Sequence, residues 1–256
     1  MLSIYRGQPL FLFMNKKLLS LPFLIGLSSQ AMALSADDFI ETDSLVHPHP
    51  SFFLKPTIPQ RYLDEAEGKI ISRLTEEDYA YAAEKLGIEI AAIKAVVDIE
   101  TGRTHCGFSS PRTPIIDFDT KIFRGYCRRR GINFSTFSPH INSSDTHQQK
   151  EYIRLERACA IDSTTAKEST MWGMFQIAGF NWKRCGAESL DDFIEKMCYS
   201  ERTQLELFTN FLLNTGLAKY LRAKNWSAFA YRYNGPKYAR FGYHTRLAQA
   251  YNKHKK

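Results

Sequence analysis

Ile88-Glu89-Ile90-Ala91-Ala92-Ile93-Lys94-Ala95-Val96-Val97-Asp98-Ile99-Glu100-Thr101-Gly102 decides the fold of this chain. Wound at 3.6 residues per turn, the stretch leaves Lys94, Asp98 and Thr101 as its single polar stripe, and the rest is apolar enough for a central, buried helix. Glu100 falls on the apolar side, among Ile93, Val96 and Val97, and two residues before the glycine that ends the helix. Burial there disfavours its anion, and so does the negative end of the helix dipole. A glutamic acid that keeps its proton near neutral pH is what a general acid requires.

Immediately upstream, Thr75-Glu76-Glu77-Asp78 has the form of a capping box, predicting a helix that runs to Leu86 and stops at Gly87. Residues 34–74 carry Pro48, Pro50, Pro56 and Pro59 with little periodicity and read as a leader or linker outside the main fold. Before them, Lys16 and Lys17 precede an apolar run at 18–27, followed by the small-x-small site Ala31-Met32-Ala33. Residues 1–33 therefore read as a secretory signal cleaved after Ala33, with Met14 an alternative start. The run is too short to anchor in a membrane, so the expected location is exported, periplasmic or secreted.

Downstream of Gly102, a region rich in Gly, Pro and Ser extends to about residue 148. It is interrupted by Pro114-Ile115-Ile116-Asp117-Phe118-Asp119, whose alternation predicts a short strand with Asp117 and Asp119 on one face. Thr120 is then placed to cap a helix through Arg130. Helical period follows over 152–161, 175–185, 189 onward and 201–213, with shorter helices from Leu217 and Trp226 and a last one over 243–251. The expected fold is mainly α, a domain over 75–256 with a small β-containing or irregular lobe inserted after the helix bearing Glu100.

The chain has 256 residues and is 44% hydrophobic, enough for one good core. Removing 1–33 deletes three basic residues and no acids, so the formal charge falls from +7 to +4. An exported basic protein favours anionic wall polymers over nucleic acid as a partner. Arg128-Arg129-Arg130 is the densest basic run, and before Gly131 it reads best as a solvated helix end. Five cysteines in an oxidising compartment allow two bridges, for which Cys106 with Cys127 and Cys185 with Cys198 are candidates, leaving Cys159 free. No metal-ligand spacing is present, and neither a metal nor a cofactor is expected.

Four segments together resemble the N-acetylmuramidase family of phage endolysins and bacterial wall hydrolases. They are Val97-Asp98-Ile99-Glu100-Thr101-Gly102, Ile116-Asp117-Phe118-Asp119, Met171-Trp172-Gly173-Met174-Phe175-Gln176-Ile177-Ala178-Gly179-Phe180-Asn181, and Tyr233-Asn234-Gly235-Pro236-Lys237-Tyr238. Their order and spacing match over about 75–252. The resemblance implies a lysozyme-like fold and hydrolysis of the β-1,4 bond after N-acetylmuramic acid in peptidoglycan glycan strands. It implies Glu100 as general acid, with Trp172, Gly173 and Gln176 on one wall of the glycan cleft and Tyr233, Asn234 and Tyr238 on the other. Asp119 stands where relatives usually carry a longer glutamate, and Asp117 is its substitute as second carboxylate.

Each of these residues also has an ordinary structural reading. Trp172, Phe175 and Phe180 could be core, Tyr233-Asn234-Gly235-Pro236 a turn, and Asp119 a helix cap. Three other functions stay open. A lytic transglycosylase would use the muramic 6-hydroxyl in place of water, and a cationic wall-binding protein would cleave nothing. A cysteine peptidase built on Cys106 beside His105 lacks any nucleophile signature.

Overall fold

The computed structural model describes residues 73–102, 106–141 and 144–255; the signal and most of the 34–74 leader fall outside them. The chain folds as ten α-helices among the described residues, with two small antiparallel sheets and one long 3-10 helix. In order these are α1 (Glu76–Leu86), α2 (Ile90–Thr101), β1 (Phe108–Ser110), β2 (Thr113–Pro114), β3 (Ile116–Phe118), α3 (Thr120–Arg130), α4 (His147–Cys159), α5 (Ser163–Glu168), β4 (Thr170–Trp172) and β5 (Ile177–Ala178). The 3-10 helix Gly179–Cys185 follows, then α6 (Leu190–Met197), α7 (Glu201–Asn214), α8 (Ala218–Arg222), α9 (Trp226–Asn234) and α10 (Tyr243–His254). The fold is mainly α.

Local chemistry sets these boundaries. Thr75 and Asp78 complete the capping box that opens α1, and Gly87, at φ 64°, closes it in the left-handed conformation. The helix bearing Glu100 starts at Ile90 and not at Ile88, because Gly87 ends α1 so tightly that Ile88 and Glu89 are used in the turn. Its Ile93, Val96 and Val97 are fully buried, α10 lies along it, and α1 bridges it to α7. Further into the core, Phe175 stacks on Phe208 at 4.1 Å and Tyr233 meets Phe208 edge-on at 5.7 Å. Each such ring, taken from water, contributes about 2–3 kcal/mol.

The inserted lobe contains the clearest differences from the sequence reading. Residues 175–185 were expected as one helix, but the 170–178 segment is a hairpin, β4 to β5, and only from Gly179 does a 3-10 helix form. Gly173 (φ 70°) and Gln176 (φ 48°) turn the chain there, which no α-helix accommodates. β4 also pairs with β3, aligning Ile116 with Trp172 and Phe118 with Thr170. The outer edge of β3 is covered by side chains of α4. Gln148 accepts from Ile116 N (2.8 Å) and donates to Ile116 O (3.0 Å), and buried Glu151 accepts from Phe118 N (3.1 Å). That arrangement satisfies strand groups that would otherwise template another strand.

Helix α4 begins at His147, five residues earlier than its apolar period, because Thr146 and Gln149 form a second capping box. Helix α3 is capped by Asp119 and not by Thr120. The five cysteines are free thiols, so neither candidate bridge is formed. Cys127, Cys185 and Cys198 are buried as small apolar side chains, and the Cys106 thiol donates to Phe108 O at 3.0 Å.

Candidate active site

Glu100 sits in the last turn of α2, where Gly102 (φ 63°) breaks the helix, and is only 5% exposed. Burial raises its pKa to about 8, against smaller opposing effects from the Asn234 amide and the Arg246 guanidinium. Glu100 Oε1 is buried without a hydrogen-bond partner among the described residues. The Asn234 amide is near enough to favour the Glu100 anion, yet its Nδ2 and Oδ1 are both buried and close no well-formed hydrogen bond there. Three orphaned polar atoms on two neighbouring side chains, in a core that otherwise satisfies most of its groups, mark a place built for something besides packing.

Helices α9 and α10 supply the surroundings. Tyr233 is fully buried, and its hydroxyl donates to Phe175 O at 3.4 Å, joining the end of α9 to the 170–178 hairpin. Asn234 follows as the last residue of α9, where Gly235 (φ 82°) ends the helix. Tyr238, half-buried, meets the His244 ring edge-on at 5.3 Å. Burial and the neighbouring Glu100 both raise the phenol pKa values of Tyr233 and Tyr243.

The hairpin residues divide differently from the expectation. Trp172 is 1% exposed, and its indole N–H donates to Lys167 O at 3.1 Å, so it is a satisfied core residue. Gly173 leaves no space for a Cβ, which would lie 2.8 Å from Gln204 Oε1 and 2.8 Å from Met197 Sδ. Gln176, 9% exposed, donates to Gly173 O at 2.9 Å and closes the turn on itself.

Neither expected second carboxylate is among the groups acting on Glu100. Asp119 Oδ1 accepts from Lys121 N (2.8 Å) and Ile122 N (2.9 Å), the bonds of an N-cap. Asp117, opposite Met171 in the sheet, is half-exposed. Asp119→Ala is expected to cost about 1 kcal/mol through loss of the cap, whereas Asp119→Asn keeps a good capping group and leaves stability nearly unchanged. Thermal denaturation of the two variants checks this, and equal losses would remove the cap as the cause. No group of three or more potential metal ligands occurs among the described residues.

Tyr243 and Arg246 were not legible as site residues. Both act electrostatically on the Glu100 neighbourhood from one face of α10, and nothing in the spacing of 243–251 separates them from an ordinary amphipathic helix.

A family model described as N-acetylmuramidase matches residues 89–255. The crystal structure of the Burkholderia AP3 phage endolysin is similar, at 32% identity and a TM-score of 0.65, covering 74% of this chain and 74% of that one. No curated protein matches at a comparable level of significance. With the family match spanning every element from α2 to α10, the chain belongs to the N-acetylmuramidase family and is a glycoside hydrolase of the lysozyme type.

Proposed function

We propose that this peptidoglycan hydrolase cleaves the β-1,4 bond that follows N-acetylmuramic acid, with Glu100 as the general acid. The observation that carries the reading is a buried carboxyl, pKa about 8, with one oxygen unpartnered within the described residues. In the reaction the Glu100 proton passes to the glycosidic oxygen, the bond from that oxygen to C1 of the muramic unit breaks, and water adds at C1 with release of a proton that returns to Glu100 through solvent. A retaining mechanism needs a second carboxyl about 5–5.5 Å away, close enough to raise the pKa of the acid by like charge. An inverting mechanism needs one about 6.5–9.5 Å away as general base for the attacking water, and it is burial, with no carboxylate beside it, that raises the Glu100 pKa. The committed capping bonds of Asp119 support reading it as a structural residue, so Asp119→Asn is expected to retain most of the activity.

Tyr238 after α9, half-buried, is suited to touch sugar, as is Gln176 on the hairpin, which at 9% exposed is more open than Met174 and Phe175 beside it. Trp172, Gly173, Tyr233 and Asn234 would shape the two walls from within. Mass spectrometry of fragments released from purified peptidoglycan tests the reaction: reducing-ended muramic acid is expected. Anhydro-ended muramic acid would replace the hydrolase with a transglycosylase, and reducing-ended glucosamine would move the cleaved bond. Residues 1–33 as a secretory signal belong to the same proposal, and the exported protein is expected to begin at Leu34 on N-terminal sequencing.

A further inference from the structure

We propose that Gln204 of α7 is a positioning residue of the active site, its buried amide holding the 173–176 turn in register with the chain that leaves the Glu100 helix. The side chain is 0% exposed and lies far in sequence from both segments. Its Oε1 accepts from Met174 N at 2.8 Å, within the turn. Its Nε2 donates to Met197 O at 2.8 Å and, more weakly, to Gly107 O at 3.4 Å. One turn earlier on α7, buried Glu201 takes the other backbone group of the same glycine, accepting from Gly107 N at 3.0 Å. Both polar groups of Gly107 are thus held by a single helix face, five residues beyond Gly102.

Two glycines show how closely the backbones approach this amide. A Cβ at Gly107 would stand 2.3 Å from Gln204 Oε1, and one at Gly173 2.8 Å from it. Besides Gln204, the 173–176 turn is bonded to the body of the domain by Gly173 N to Ile115 O at 2.9 Å and by the Tyr233 hydroxyl to Phe175 O at 3.4 Å, while Gln176 bonds back to Gly173. Gln204 fixes the middle of the turn, and therefore where Gln176 stands relative to Glu100. A misplacement of about 1 Å at a site of this kind costs up to roughly a hundredfold in rate or binding.

The inference rests on the reading of the turn as part of the glycan-binding wall. Its test compares Gln204→Glu, Gln204→Leu and Gln176→Ala for kcat and KM on soluble peptidoglycan oligosaccharides, well below each melting temperature. Gln204→Leu removes all three bonds and is expected to raise KM roughly tenfold, with the alkaline limb set by Glu100 unmoved. Gln204→Glu keeps the acceptor for Met174 N but aims an oxygen at two carbonyls. When protonated it donates once, so KM is expected near the wild-type value in acid and higher as pH rises. Gln176→Ala is expected to raise KM to a similar degree. If Gln176→Ala raises KM and the Gln204 variants do not, positioning is overturned while the wall reading stands. If the Gln204 variants only lower kcat and melting temperature together, the residue is merely structural and the proposal fails. An unchanged KM in Gln176→Ala removes the wall reading and the proposal with it.

Discussion

Glu100→Gln is expected to lower peptidoglycan hydrolysis by about 10²–10⁴-fold, the usual contribution of a positioned general acid, while making the protein more stable in alkali. Both effects come from the same burial. The amide keeps the shape and removes the proton that the leaving oxygen must receive. The stability effect follows from the folded pKa of about 8, raised above the ordinary value of 4.5. Below pH 4.5 folded and unfolded chains both hold the proton, and the wild type carries no penalty. Between 4.5 and about 8 only the folded chain holds it, so wild-type stability falls as pH rises. Above about 8 the loss is complete, on the order of 5 kcal/mol. The melting temperature of the variant is therefore expected to exceed that of the wild type by a margin that widens from pH 5 to pH 8.5. Wild-type activity should fall above about pH 8 as the acid ionises. A flat margin across that range would mean that Glu100 is not protonated in the fold, and retained activity would remove it from the chemistry.

Glu100 was legible because local and global signals agree there. An apolar helix, a terminating glycine and one misplaced carboxyl all lie within 88–102. Its surroundings were not, since Asn234 meets it from another helix and Arg246 acts on it from a third. The capped helices were equally readable: Thr75 with Gly87, and Ser189 ahead of α6, declare their ends in a few adjacent residues. The 170–178 hairpin failed that approach. Trp172, Phe175 and Phe180 happen to recur near helical spacing, and only the tertiary pairing with β3 selects a strand. The same limit explains Trp172, because flanking glycine and glutamine suit a sugar-lining ring and a core ring alike. The decisive partner, Lys167 O, belongs to α5, whose six residues are too few to show a helical period. Asp119 was readable as a cap from its position before a helix, and its bonds to Lys121 N and Ile122 N are those of a cap.

The largest expected loss of stability comes from Gly179→Ala, a substitution far milder on paper than any removal of an aromatic ring. An added Cβ would stand 2.1 Å from Lys167 O, 2.9 Å from Lys167 C and 3.0 Å from Glu168 Cα. All three are backbone atoms, so no rotamer change relieves the clash, and the last turn of α5 has to move away from the start of the 3-10 helix. The Lys167 carbonyl also accepts from the Trp172 indole at 3.1 Å, so that movement would break a buried bond beneath β4. Overpacking against fixed backbone places the cost at about 3 kcal/mol, a fall in melting temperature of about 10 °C for a domain of this size. Gly216→Ala is the matched control. Gly216 has a positive φ of 71° but nothing within 4 Å of a built Cβ, so only left-handed strain of about 1 kcal/mol applies. Urea denaturation of the two variants separates the causes. A loss at Gly179 no greater than that at Gly216 would mean that α5 yields freely and that the hairpin does not depend on this contact. The expected larger loss, with activity on peptidoglycan falling in step, makes the α5 carbonyl at Lys167 the support on which the hairpin and its turn rest.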